Sequence, residues 1–218
     1  MITIVLIIFT CIISIKAFKD DGLMEKWIFY PPAVKHGEWQ RLFTYGFLHA
    51  DFTHLIFNMF TLYFFGVDIE KYCIATLGEL TGSVAYIVLY FSALFVSIFP
   101  TYLKERDNDY YHGLGASGAV SAIIFAYVLI NPMNFMGVMF IPVWLPAFLF
   151  AIIFVMISVY LSKNHSGGIN HSAHIAGGIY GIVFMIVAFG ALEHVNLLAD
   201  FIDQIHVNSI RDLIRFGF

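Results

Sequence analysis

Six runs of this 218-residue chain are long and apolar enough to cross a bilayer: roughly 2–18, 50–67, 81–103, 115–131, 138–161 and 171–191. Each approaches the ~20 residues that a helix needs to span a hydrocarbon core. Lipid offers no partner to backbone N–H and C=O groups, so such runs must fold as helices. Only 12% of the residues are charged, against about 25% in an ordinary soluble domain. The expected fold class is therefore all-α: a polytopic membrane protein with a six-helix transmembrane bundle over residues 1–191. The first run lacks a basic start and a small-residue cleavage site, so it reads as the first helix rather than a signal peptide. Residues 192–218 place apolar side chains at helical spacing between charges. This suits an amphipathic tail lying on the membrane surface or on the protein's own loops. The net charge of −4 gives no reason to expect nucleic acid as a partner. Cys11 falls in an apolar run and Cys73 in a connecting segment, and no disulfide framework follows from them.

Ionisable and amide side chains inside apolar runs are costly and usually face a bundle interior or a water-filled cavity. Here they are few and ordered. Run two begins "HADFTHLIFN", with His49, His54 and Asn58. Run four begins with Ser117 in "GLGASGAVSA". Run six begins "HSAHIAGG", with His171 and His174. Even-numbered runs cross the membrane in one direction, so these groups share a depth in one leaflet and can meet. The odd-numbered runs carry no comparable cluster.

Each group has a plain alternative. His54 and Asn58 lie four apart on one helix face and can serve as an interhelical hydrogen-bond pair. His174 can likewise be a packing histidine. Gly177 and Gly181 form a Gly-xxx-Gly pair, and Gly115 with Gly118 gives run four a small surface. A close contact between runs four and six brings Ser117 and His174 together, so packing and catalysis are compatible. A metal site built from His49, His54, His171 and His174 is the other sharp reading. It has no His-Glu-x-x-His pattern, finds only Asp51 as a nearby carboxylate, and leaves Ser117 and Asn58 without a role. No metal and no cofactor are expected.

On these residues the chain resembles the rhomboid family of intramembrane serine proteases. "GASG" (115–118) is similar to the family's Gly-x-Ser-Gly motif. "AHIAGGIYG" (173–181) is similar to its Ala-His-x-x-Gly-x-x-x-Gly motif, and "HADFTHLIFN" has its His-x4-His-x3-Asn spacing. A lone Gly-x-Ser-Gly is weak; three motifs in order on the matching runs are specific. The resemblance covers about residues 40–190. It implies a six-helix core and a serine endopeptidase that cleaves transmembrane helices near one membrane face. It makes Ser117 the nucleophile and His174 the general base, with no third acid. His54 and Asn58 would point at the oxyanion, His49 and Arg41 would support the first loop, and Glu70 matches an acidic position after run two. The chain departs from the family at Gln40, where Trp is usual, and at Ser121, where bacterial members often carry a Tyr that packs on the catalytic imidazole. A different side chain then has to hold His174.

The implied partners are transmembrane protein substrates and the lipid bilayer. The loops "KERDNDYYHG" and "SKNHSGGIN" are expected to form a lid, and runs two and five a lateral gate, with Pro142 and Pro146 weakening the first turns of run five. Membrane orientation draws opposite answers. Lys16, Lys19, Lys26, Lys35, Arg41, Lys104, Arg106 and Lys163 follow the odd runs, against Lys71, Arg211 and Arg215 on the other side. The positive-inside rule then puts the termini outside, whereas the family's bacterial members keep them in the cytoplasm, with the protein in the inner or plasma membrane. The alternative function is a non-catalytic rhomboid-like protein that binds transmembrane helices. Such relatives generally lack the serine or the histidine, and both are present here.

Overall fold

The computed structural model describes residues 1–137, 142–163 and 170–216. Six apolar helices form the bundle: α1 (Ile2–Ala17), α5 (Phe52–Leu77), α6 (Glu79–Glu105), α7 (Ser117–Ile130), α8 (Ala147–Lys163) and α9 (His171–Glu193). Of these, α5, α6 and α9 have 26, 27 and 23 residues and are long and apolar enough to cross a membrane. The remaining three are shorter. With 14 residues, α7 rises roughly 21 Å, against a hydrocarbon core of roughly 30 Å. A helix that short, reaching one membrane face, starts well inside the other. Its first residue is Ser117.

The position of α7 follows from its composition. Gly118, Ala119, Val120, Ser121, Ala122 and Ile123 are all buried, because α5, α6, α8 and α9 surround it. Lipid tails are as apolar as leucine, so helices here associate by close packing rather than by escape from water. The α7–α9 contact is made backbone to backbone. A Cβ on Gly177 would sit against the Gly118 carbonyl, and one on Gly181 would sit 2.8 Å from Ala122 Cα and Ala122 C. The small residues of runs four and six bring the two helices together as their spacing predicts.

Between α1 and α5 the chain folds into α2 (Asp21–Trp27), α3 (Pro31–Lys35), α4 (Arg41–Thr44) and a 3-10 turn at Tyr45–Phe47. Buried Arg41 holds this region together. Its Nη1 donates to the carbonyls of Glu25 (2.6 Å) and Ile28 (2.8 Å), and its Nε to Glu38 (2.7 Å). Phe29 and Gly113 exchange two backbone hydrogen bonds of 2.9 Å, which ties this first loop to the segment leading into Ser117. An exposed Lys35–Asp107 ion pair joins the same two segments. The lysine's hydrogen bond holds the Asp107 carboxyl below the usual carboxylate range, but an exposed pair adds little to stability.

Two boundaries differ from expectation. Run two continues ten residues further, so Cys73 is a buried residue of α5 rather than part of a connection. Glu70 likewise lies inside α5. It accepts from the backbone N–H groups of Ile2 (2.6 Å) and Thr3 (2.9 Å) and from the Thr3 hydroxyl (2.7 Å). A carboxylate on the unpaired N–H groups of a helix start is favourable, so Glu70 caps α1 from a neighbouring helix. Run five begins as a helix only at Ala147. Pro146 ends a strand instead of weakening a helical turn: β1 (Phe135–Gly137) pairs antiparallel with β2 (Val143–Pro146), and β2 with β3 (Arg215–Phe216). Proline can end a strand but cannot donate inside a helix. Residues 138–141 of the expected fifth span, and most of the second expected lid loop, at 164–169, lie outside the described residues.

The tail packs on the bundle. In α10 (Leu197–Gln204), Leu197 is buried and Phe201 is partly buried against the core, while Leu198 and Ile202 face outward. Beyond it, β3 brings the Arg215 guanidinium 3.7 Å above the Phe135 ring.

Candidate active site

Ser117 is the first residue of α7, and His174 stands one turn into α9. The close α7–α9 packing carries them together: Ser117 Oγ is 2.8 Å from His174 Nε2. A hydroxyl that donates to Nε2 leaves that nitrogen as the lone-pair position of the ring. Both residues line a cavity of about 390 Å³, together with Tyr45, Ala50, His54, Tyr111, Gly115 and Asn170. Ser117 also opens a helix whose first-turn N–H groups have no intrahelical acceptor. The site therefore places a hydroxyl, an imidazole and unpaired backbone donors around one space.

His54 enters this space because residue 115 is glycine. Gly115 has φ +115°, a conformation that L side chains rarely adopt. A Cβ there would lie 2.8 Å from His54 Cε1 and 3.0 Å from His54 Nε2. The imidazole packs directly on bare backbone beside the serine. Asp51 caps α5 by accepting from the His54 N–H at 2.7 Å, and the Ala50 N–H lies 3.4 Å from His54 Nδ1. That donor favours the lone pair on Nδ1, which leaves the proton on Nε2, the nitrogen facing Gly115.

The other expected site residues sit behind this layer. Asn58 is buried; its Nδ2 donates to the His54 carbonyl at 2.9 Å, and it is not among the cavity-lining residues. His49 is fully buried, with Nδ1 2.9 Å from Ser14 Oγ, whose hydroxyl also bonds the Phe47 carbonyl at 2.7 Å. Burial lowers the His49 imidazole to a pKa of about 3, so it stays neutral at ordinary pH. Its ring meets that of His54 edge-on at 4.9 Å. His49 thus fastens the loop to α1 and buttresses His54. Ser121 donates to the Ser117 carbonyl at 2.8 Å rather than to His174. The ring beside His174 is instead Phe154 of α8, with centroids 6.2 Å apart and planes tilted by 30°.

Two groups escaped sequence reasoning. Asn170 caps α9: its Oδ1 accepts from the Ala173 N–H at 3.0 Å, and its Nδ2 donates to Thr101 (2.9 Å) and Tyr111 (3.1 Å). An asparagine directly before an apolar helical run is a cap signal, and it was legible in "INHSAH". Phe154 had no such signal, because nothing local to "FAIIFVM" shows what the helix faces.

The fold and site together define a multi-pass membrane protein with a serine–histidine pair inside its helical bundle. The Rhomboid domain model matches residues 36–191, and the chain belongs to the rhomboid family. Among curated relatives, YdcA of Bacillus subtilis (strain 168), provisionally named a rhomboid protease, is 33% identical over 99 residues, covering 45% of each chain. RHOMBOID-like protein 12, mitochondrial, of Arabidopsis thaliana is 31% identical over 124 residues, covering 54% of this chain and 37% of the relative. Rhomboid-related protein 4 of Homo sapiens is 28% identical over 159 residues, covering 67% and 45%. The chain's matched part spans less than half the length of these relatives. Membership of the family supports a protease-like role on membrane substrates.

Proposed function

We propose that the protein is an intramembrane serine endopeptidase that cleaves transmembrane helices of other membrane proteins near one membrane face. The observation that carries this reading is the 2.8 Å hydrogen bond between Ser117 Oγ and His174 Nε2 on the floor of a polar cavity within apolar helices. Ser117 Oγ attacks the substrate carbonyl carbon while its proton passes to His174 Nε2. The tetrahedral intermediate collapses, and His174 returns that proton to the leaving amine. Water, deprotonated by the same nitrogen, then adds to the acyl carbon, the bond to Ser117 Oγ breaks, and His174 returns the proton to Oγ. The oxyanion meets the N–H groups of the first turn of α7 and His54 Nε2–H. Asn58 has a second amide N–H free of its bond to the His54 carbonyl, and His49 holds His54 in place. Loss of one such donor typically costs about 3–4 kcal/mol of transition-state stabilisation.

A transmembrane helix hides its peptide bonds in its own hydrogen bonds, so suitable substrates carry small or helix-destabilising residues at the level of Ser117. The side between α5 and α8 is the proposed route from lipid. Family relatives without activity make a helix-binding role the alternative, and the hydrogen-bonded Ser–His pair speaks against it. The test is cleavage of a reconstituted transmembrane substrate: Ser117→Ala and His174→Ala each abolish it, and His54→Ala lowers kcat by roughly 100-fold. Normal cleavage by the Ser117→Ala protein contradicts the proposal.

A further inference from the structure

Ser117 holds the base through its Nε2. Among the described residues, the contact with Ser117 is the one hydrogen bond the His174 ring makes. One hydrogen bond does not fix an imidazole, because the terminal side-chain torsion of histidine is broad. Two rings surround it. His171, on the same helix, meets it edge-on at 6.0 Å, and Phe154 of α8 lies beside it, with centroids 6.2 Å apart and planes tilted by 30°. Ser121 is turned to the Ser117 carbonyl.

Phe154 is itself positioned. It packs edge-on against Phe125 of α7 at 5.9 Å, and Phe125 lies against α9, where a Cβ on Gly178 would come within 2.9 Å of its ring. Phe154 is therefore a wedge from α8 between the helix of the nucleophile and the helix of the base. Ala147, Ala151 and Ser158 bury the inner side of α8. Ile152, Met156, Ile157 and Tyr160 are exposed along it, and the helix partners it packs on are α7 and α9.

We propose that Phe154 is a positioning residue, which keeps His174 Nε2 directed at Ser117 and makes the base competent only while α8 is packed on α7 and α9. This rests on the protease reading above and adds regulation to it. A substrate that displaces α8 on its way in removes the ring from His174, and re-packing of α8 restores the base around bound substrate. Substrate access and base alignment are thus coupled through one aromatic side chain.

The experiment uses the full chain in detergent and in liposomes, as wild type, Phe154→Leu and Phe154→Tyr, with substrate cleavage resolved into kcat and KM. Phe154→Leu keeps an apolar wedge but no ring, and its kcat falls about tenfold to 100-fold, the scale of a misaligned catalytic group, with KM changed less than about threefold. Phe154→Tyr retains kcat within about threefold of wild type. A second readout is independent of turnover: the Cε1–H resonance of His174, in protein labelled at histidine, loses its ring-current shift in Phe154→Leu and keeps it in Phe154→Tyr. Wild-type kcat in Phe154→Leu, or an unmoved His174 resonance, overturns the proposal. If wild type itself does not cleave, the protease reading fails, and the resonance still decides whether Phe154 orients the ring.

Discussion

At Gly115 two demands fall on one residue. The backbone turns through φ +115° to drop the chain onto Ser117, and the space where a side chain would stand is filled by the His54 imidazole. Gly115→Ala meets both penalties. Strain of this kind costs about 1–3 kcal/mol, and the added methyl pushes His54 away from the serine. The variant is expected to unfold at lower temperature and to cleave at least tenfold more slowly than wild type, by a comparison of thermal unfolding with substrate cleavage. Retention of full activity would show that His54 does not need its place beside Ser117. The motif "GASG" identified Gly115 as small, but its reason is a contact with a residue some sixty positions earlier. Single-residue spacing carries no trace of such a contact, and the same holds for Phe154 and His174. Ser121 is the converse case. Its departure from the family pattern was visible in the chain, and the structure shows that its hydroxyl returns to its own helix.

At the level of elements, α9 is aligned from its first turn. Asn170 caps it and ties it to Thr101 of α6 and to Tyr111 in the loop before α7. The cap therefore sets where His174 stands relative to Ser117. Asn170→Ala is expected to lower stability by about 1 kcal/mol, as caps typically do, and to reduce kcat more than KM in cleavage assays. Asn170→Asp, which keeps an oxygen to accept from the Ala173 N–H, is expected to restore stability. The helices themselves were readable because a bilayer imposes length and apolarity on each run. Runs one, four and six match their observed helices closely. Run five does not, because apolarity alone cannot distinguish an apolar hairpin strand from the start of a helix. The pairing of β2 with β3 joins residues about seventy positions apart, beyond any local period.

On the scale of the whole molecule, the short α7 sits centrally, with longer helices around it and a folded loop above its start. Two features meet there: the hydrogen-bonded Ser117–His174 pair and the cavity that both residues line. The depth relation among runs two, four and six followed from their common direction alone, and the structure does bring Ser117, His54 and His174 to one cavity. Their closeness depends on bare backbone between α7 and α9. Gly177→Val places two methyl groups against the Gly118 carbonyl, so the two helices must part. Cleavage is expected to be lost, and the hydrogen-bonded pair with it, while the protein still inserts; an unaffected Gly177→Val protein would mean that the α7–α9 contact does not build the site. The most direct measurement is the reaction of the purified protein with a fluorophosphonate, followed by peptide mapping. A single adduct on Ser117, absent when His174 is replaced by alanine, is the predicted result. An unmodified Ser117, or an adduct that forms equally well without His174, would contradict a serine nucleophile activated by that base.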